Sequence, residues 1–371
     1  MLLYIIAGEA SGDLHGANLV KELKQKNSSI QYRAWGGDLL QAQGATIVKH
    51  YRDLAFMGFI EVVMNLKTIL KNIEDCKKDI LVHKPNALVL IDYPGFNLRI
   101  AEWAKQQNIK VFYYISPQIW AWKQSRVHKI KRVVDKMFVI LPFEKDFYKK
   151  FDYDVDFVGH PLLDAVLGKQ NSESFEEYCN RNNLEKKPIV AILPGSRKQE
   201  IATMLPIMLN QIKNFPQYQF VIAGAPSQTK EYYNEFLQSK NVKIVYNQTY
   251  DLLSKAHAAM VTSGTATLET ALFNVPQVVC YKGSKVSYLI ARQLIKVKYI
   301  SLVNLIMDRV VVKELIQNEL NETQLKQELQ NIIVDAEPRK TMLKEYVDLK
   351  EMLGNNGASE RTAQLILENL K

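Results

Sequence analysis

One local pattern constrains the fold more than any other: a short run rich in Ile, Val, Leu and Tyr, then a turn, then a stretch of helical period, repeated along the chain. Parallel strands can be joined only by crossovers, so β-α units of this kind build parallel sheets whose two faces are covered by helices. In the first half the runs Leu2–Ala7, Gln31–Gly36, Ala87–Asp92, Lys110–Ile115 and Lys136–Leu141 are expected to be buried strands. The pattern restarts with Pro188–Leu193, Gln219–Ala223, Val242–Val245, Ala258–Thr262 and Val275–Cys280, and the tail Glu322–Lys371 reads as helices. Two such sets predict an α/β protein of two Rossmann-like domains facing a cleft. The 371 residues suit this, since a domain takes roughly 150. The limits expected are 1–168, 169–340 and 341–371, the last being helices that pack back on the first domain or on a partner subunit. Residues 168–187 are polar and poorly patterned, as a linker with a helix would be.

Composition narrows the class. With 47% hydrophobic and 23% charged residues the chain is of ordinary globular type, and no apolar run approaches the ~20 residues that span a bilayer. No basic residue precedes the MLLYII run, so neither a secretory signal nor a membrane span is expected. Cys76, Cys179 and Cys280 lack CxxC spacing and His companions, which points to a reduced, cytoplasmic protein. The formal charge of +9 is concentrated locally. Lys123 to Lys136 holds six basic residues and one acid, and Lys282 to Lys313 holds seven and one. Such patches attract phosphate, whether of nucleotide, nucleic acid or anionic lipid. A nucleic-acid binder is suggested only by the pI near 9.1 and lacks any basic-aromatic motif.

Ligands of parallel sheets bind beyond the carboxyl ends of the strands, so the residues just after each apolar run are the informative ones. In the first such loop, Ala7 to Asp13, Gly8 and Gly12 permit a tight turn and a close backbone approach, and Ser11 and Asp13 can cap the helix. His15 follows, as a base or as a packed residue. In the second, Asp92 ends a buried strand before a Pro94-Gly95 turn; it is placed either as a general base or as a helix cap, and spacing does not choose. The third loop sets Gly195 and Ser196 at a helix start beside Arg197, a forked cation suited to a diphosphate, without a Walker lysine. In the fourth, Ser263, Gly264 and Thr265 can hold phosphate oxygens while Glu269 accepts from a ribose diol, although capping uses the same residue types. Asp152, Asp154 and Asp156 mimic a metal motif but read as a solvated turn. The absence of HExxH, Gly-x-Ser-x-Gly and Cys/His clusters leaves metalloprotease, elbow-hydrolase and zinc chemistry without support.

Read together, Gly8-Glu9-Ala10-Ser11-Gly12-Asp13, Ser116-Pro117-Gln118-Ile119-Trp120-Ala121-Trp122, Leu141-Pro142-Phe143-Glu144, Val158-Gly159-His160-Pro161, Leu193-Pro194-Gly195-Ser196-Arg197 and Ser263 to Glu269 closely resemble the lipid-A-disaccharide synthase family. The resemblance runs from about Leu2 through Leu315. It implies an inverting glycosyltransferase of the GT-B architecture, acting in lipid A biosynthesis. The reaction implied joins UDP-2,3-diacylglucosamine to 2,3-diacylglucosamine 1-phosphate by a β-1,6 bond and releases UDP. By the same resemblance Asp92 is the base, Arg197 with the loop amides stabilises the diphosphate, Glu269 binds the uridine ribose, and Asn304 lies at the active site. Neither a metal nor a cofactor is called for. This chain has Gly95 where some relatives carry a second acid, and Val303 where relatives often have Pro. The implied partners are the two lipid substrates and an anionic membrane, met peripherally from the cytoplasmic side of the inner membrane, with a homodimer left open.

Three features stay open between function and packing. Lys282, Arg292, Lys296 and Lys298 gather phosphates or line a solvated helix. Trp120, Trp122, Lys123 and Arg126 meet the acceptor or pack. The stretch Phe56–Ile73, apolar nearly all round and flanked by Lys67, Lys71, Lys77 and Lys78, is a membrane or acyl-binding element or else a crossover helix. A UDP-sugar 2-epimerase or a polyprenyl-linked glycosyltransferase shares the paired nucleotide loops and is the alternative reading.

Overall fold

A computed structural model describes residues 1–54, 66–167, 173–237, 242–284, 297–354 and 356–370. The chain divides into two units, Met1–Asp164 with Leu353–Lys371, and Ala165–Met352.

The first unit is built on a parallel sheet of β1 (Leu2–Ala7), β2 (Gln31–Gly36), β3 (Thr46–His50), β4 (Ala87–Ile91), β5 (Lys110–Tyr114), β6 (Lys136–Val139) and β7 (Asp156–Phe157). Their order is β3-β2-β1-β4-β5-β6-β7. The chain thus winds outward from β1 through β2 and β3, then crosses back to β4, and the direction of winding reverses between β1 and β4. Connections leave to opposite faces there, which opens a crevice at the carboxyl ends. Ala7 pairs with Ile91, so the loops beginning at Gly8 and Asp92 leave the sheet side by side.

The second unit repeats the plan with β8 (Ile189–Leu193), β9 (Gln219–Gly224), β10 (Lys243–Tyr246), β11 (Ala256–Thr262), β12 (Gln277–Tyr281) and β13 (Lys313–Ile316), ordered β10-β9-β8-β11-β12-β13. Its reversal lies between β8 and β11. Leu193 pairs with Val261, which brings the loop of Arg197 beside the loop of Ser263.

Helices cover both faces of each sheet, so the central strands are apolar without alternation; every residue of β4 and β8 is buried. In the first unit Leu3, Ile5, Val89, Ile91 and Phe112 pack with Leu19, Val20 and Leu23 of the helix Ala10–Lys26. Ala363 and Ile366 of the last helix, Ala358–Leu370, join that core. The Asp164 carboxylate fixes its start by accepting from Gly357 N at 2.6 Å and Ser359 N at 3.4 Å. The preceding helix, Glu337–Met352, belongs to the second unit, where buried Tyr346 accepts a 3.2 Å bond from Gln277. The C-terminal tail is therefore shared, with Leu353 as the first residue returned to the first unit.

The ten strands expected from the sequence are present, with ends shifted by a residue or two. Three of the four edge strands, β3, β7 and β13, had no buried apolar run to announce them: residues of β3 and β7 are at best half-buried, and β13 is the mixed string Lys-Glu-Leu-Ile. Of the stretch Phe56–Ile73, residues up to 65 lie outside the described residues, as do Arg292 and Lys296. The rest of that stretch opens the helix Leu66–His83, with Ile73 buried and Leu70 and Lys71 exposed. Among the described residues no helix is long and apolar enough to cross a membrane. All three cysteines are buried and free.

Candidate active site

At the end of β4 the backbone enters the left-handed region twice, at Asp92 (φ 44°) and Tyr93 (φ 47°), before the helix Pro94–Gln106 begins. Two successive non-glycine residues there carry strain that the surroundings must hold. They do so through main-chain contacts. Asn97, fully buried, donates to the carbonyls of Asp92 at 2.7 Å and Ile91 at 3.2 Å, and the Tyr113 hydroxyl donates to the Asp92 carbonyl at 2.6 Å. Tyr93, not Asp92, is the cap residue of the helix and makes no side-chain cap bond. The choice left open by spacing thus goes against a capping role for Asp92. Its carboxyl is pushed up to about 6, first by burial and then by the negative charge of Glu9, against a backbone hydrogen bond at Tyr93. A carboxylate of that basicity is suited to taking a proton near neutral pH.

Gly8 is required by packing. A Cβ there would lie 2.3 Å from Cδ1 of Tyr93, whose ring covers the turn and whose hydroxyl donates to Leu54 O at 3.3 Å. Gly12 lies against Ala7, where a Cβ would come to 3.3 Å, and Ser11 is exposed on the first helical turn. Asp13 corrects an expectation: it does not cap its own helix but accepts from Gly37 N (2.7 Å), Leu39 N (3.0 Å) and Leu40 N (3.2 Å), capping Asp38–Ala42. His15 is packed, and burial lowers it to about 4. His160 is likewise buried and lowered to about 3, by burial and then by His15. Both rings are therefore neutral at physiological pH.

The aromatic string after β5 divides in two. Trp120 is buried and donates to Glu144 at 3.3 Å, while the other Glu144 oxygen accepts from Leu141 N (3.0 Å) and Ile140 N (3.3 Å). Burial raises this carboxyl to about 7. Glu144 thus ties the loop after β5 to the loop after β6. Trp122 is 48% exposed, with the Arg126 guanidinium 4.5 Å from its ring centroid.

In the second unit, Gly195 has φ +102° and Arg197 caps the helix Lys198–Leu209. The Ser196 amide, expected to be exposed, is engaged, and so is the Arg197 amide. Both donate to Glu200 Oε2 at 3.3 Å, and Arg197 Nη1 reaches Glu200 Oε1 at 3.2 Å. The donors of this loop are thus gathered around the carboxylate of Glu200. Alongside, Ser263 donates to Ile300 O at 2.9 Å, Gly264 (φ 153°) has open space where a Cβ would stand, and exposed Thr265 begins the helix Thr265–Leu272. Glu269 accepts from the Tyr250 hydroxyl at 2.8 Å, and its carboxyl is raised by burial against that bond.

Asn304 is fully buried and bonded within the fold. Its Oδ1 accepts from Val311 N (2.8 Å) and Val312 N (2.9 Å), and its Nδ2 donates to Val312 O (2.8 Å) and Glu314 (2.9 Å). An amide side chain has two donors and two acceptor sites, and all four are used inside the fold. Asn304 thus shapes the loop before β13. Asp152 and Asp154 are exposed and Asp156 pairs with Lys136 at 3.4 Å; among the described residues no three His, Cys, Asp or Glu side chains are grouped to hold a metal.

Sequence reasoning did not find Asn97, Tyr113, Glu200 or Tyr250. Each acts on a group brought near by the fold, and only Glu200, one helical turn after Arg197, left a local signal.

Two parallel sheets of this topology, each with its polar loops at the reversal point, are those of the GT-B fold. In agreement, UDP-GlcNAc 2-epimerase from Neisseria meningitidis bound to UDP-GlcNAc superposes with a TM-score of 0.68 over 100% of both chains at 15% identity. The glycotransferase of kitacinnamycin gives 0.67 over 100% of this chain and 99% of that one at 12% identity. At such identities the likeness is one of fold. Residues 3–368 match the family described as lipid-A-disaccharide synthetase. The chain is 41% identical to lipid-A-disaccharide synthase of Syntrophus aciditrophicus, covering 100% of this chain and 98% of that one. It is 38% identical to lipid-A-disaccharide synthase 1 of Legionella pneumophila strain Paris, covering 99% and 97%. The chain belongs to the lipid-A-disaccharide synthase family and is a glycosyltransferase.

Proposed function

We propose that the protein transfers 2,3-diacylglucosamine from its UDP-linked form to the 6-hydroxyl of 2,3-diacylglucosamine 1-phosphate, with inversion at the anomeric carbon. The observation that carries the catalytic reading is Asp92: a largely buried carboxyl, raised to about 6, on a turn held by Asn97 and Tyr113 at the reversal point of the first sheet. In this reading Asp92 takes the proton of the acceptor hydroxyl as its oxygen attacks the anomeric carbon from the face opposite UDP. The new C–O bond forms as the bond to the diphosphate breaks, and the electron pair leaves with UDP. Arg197 and the amides of Ser196 and Arg197 stabilise the diphosphate charge as it develops, once Glu200 has given those amides up. Ser263, Gly264 and Thr265 approach the phosphates. Glu269 accepts from the ribose diol with the oxygen that Tyr250 does not occupy, and Gly8, Ser11 and Gly12 border the acceptor beside Asp92. The acyl chains of both substrates place the reaction at a membrane surface, which the protein meets peripherally from the cytoplasmic side.

The test is direct. The pure protein is incubated with both lipid substrates, and disaccharide and UDP are measured by mass spectrometry. UDP should appear with disaccharide, in equal amounts, and only when acceptor is present. An epimerase would change the donor without an acceptor, and no disaccharide from both substrates would overturn the reading.

A further inference from the structure

The basic run from Lys123 to Lys136 is not uniform once folded. Lys129 and Arg132 share Glu102 at 2.7 and 2.9 Å, Lys131 donates to Phe151 O at 3.1 Å, and Lys136 pairs with Asp156. Among the described residues, Lys123 and Arg126 have no carboxylate partner. Arg126 is nevertheless held in place, its guanidinium 4.5 Å from the ring centroid of Trp122, an indole that stays 48% exposed. Stacking on a ring occupies the face of a guanidinium and leaves its N–H edge free, in the planar fork that matches phosphate oxygens.

The segment carrying the pair is anchored. Trp120 is bonded to Glu144 and its carbonyl accepts from Gln124 at 3.2 Å. Its place relative to Asp92 follows from the sheet: the segment leaves β5, whose Tyr114 pairs with Ile91 of β4, so both loops emerge at the same end of neighbouring strands. A pre-oriented guanidinium with no carboxylate partner among the described residues therefore stands at the strand-end face that carries the proposed base.

We propose that Arg126, oriented by Trp122 and assisted by Lys123, binds the phosphomonoester of the sugar acceptor and so selects a phosphorylated acceptor over its dephosphorylated form. This rests on the transferase reading above. A phosphomonoester offers close to two negative charges and three acceptor oxygens, more than a neutral sugar hydroxyl can give this site.

The experiment compares the acceptor with and without its phosphate, in nonionic detergent micelles, for the parent, Arg126→Gln, Arg126→Lys and Trp122→Leu. In the parent kcat/KM should favour the phosphorylated acceptor. Arg126→Gln should cut that preference about tenfold or more, chiefly through KM for the phosphorylated acceptor, with UDP affinity unchanged. Arg126→Lys keeps the charge without the stacked fork and should recover part of the preference; Trp122→Leu should lose part of it. An unchanged preference, or equal losses with both acceptors, overturns the proposal. Sedimentation with phosphatidylglycerol vesicles separates the other source of phosphate: reduced vesicle binding by Arg126→Gln with an intact preference would assign the cation to lipid headgroups and also overturn it. Should Arg126→Gln fail to fold by thermal melting, Arg126→Lys and Trp122→Leu decide. A parent that forms disaccharide with an unchanged preference in the variants sinks this site alone. A parent that forms none from either acceptor sinks the transferase reading and this site with it.

Discussion

The hydroxyl of Tyr113, on β5, donates a 2.6 Å hydrogen bond to the main-chain carbonyl of Asp92, at the end of β4. It holds the turn through the main chain and not through the carboxyl. Because Asn97 donates to the same carbonyl at 2.7 Å, both of its lone pairs are engaged and the left-handed backbone is held from two elements. Position and basicity of the carboxyl therefore have separate causes, the first in main-chain hydrogen bonds and the second in burial.

Asp92→Asn should lower turnover by about a hundredfold or more while leaving UDP affinity near that of the parent. Wild-type-like turnover in the folded variant would remove the assignment. In the parent, kcat/KM should rise with pH and level off above about 6, where Asp92 is ionised. Stability runs the other way. The folded-state value of about 6 lies above the ordinary 3.8, so the folded protein binds the extra proton between those values; the stabilisation is full below about 4 and is lost as pH rises through 6. Asp92→Asn removes this dependence, and urea unfolding at pH 7 should find it more stable than the parent, by on the order of 2 kcal/mol.

Gly8→Ala should be costly although the change is one methyl group. The added Cβ meets the Tyr93 ring at 2.3 Å, and Tyr93 is the second residue of the strained turn that carries Asp92. Unfolding should show a loss of about 1–3 kcal/mol. The expected kinetic result is a fall in kcat larger than any change in UDP affinity, and unchanged kcat would show that Tyr93 moves aside without disturbing Asp92.

For the nucleotide, Arg197→Ala and Glu269→Gln should each weaken UDP binding about tenfold in calorimetry, as loss of a charge-assisted contact does. Tyr250→Phe should weaken it less, because it leaves the Glu269 carboxylate in place but frees it from its 2.8 Å partner. Equal UDP affinity in all three variants would put the nucleotide elsewhere.

Asn304→Ala should act on stability. It removes four internal hydrogen bonds and leaves the amides of Val311 and Val312 without their acceptor, for an expected loss of about 2–4 kcal/mol in urea unfolding. A variant as stable as the parent but with a raised KM for either substrate would make Asn304 a ligand contact instead.

How much of this was legible in the chain differs from residue to residue. The run Ala87 to Ile91 reads as a strand covered on both faces because every residue is apolar, and burial is what local periodicity reports. A parallel sheet places all the loops after its strands at one end, so Gly8, Asp92, Arg197, Ser263 and Glu269 could be singled out as candidates by position, and the motifs around them resembled one family. The edge strands β3 and β7 escaped because they lack the buried run. The role of each polar side chain depended on remote partners. Asp13 caps a helix that starts 25 residues further on, Asn304 spends its whole hydrogen-bonding capacity on one loop, Glu200 closes on the amides it follows, and four of the six cations between Lys123 and Lys136 find partners. Spacing along the chain could narrow Asp92 to a base or a cap. That Asp92 does not cap was decided in the folded turn, where Tyr93 takes the cap position and the carbonyl of Asp92 meets donors from β5 and the following helix, because a hydrogen bond is decided by what the fold brings within reach.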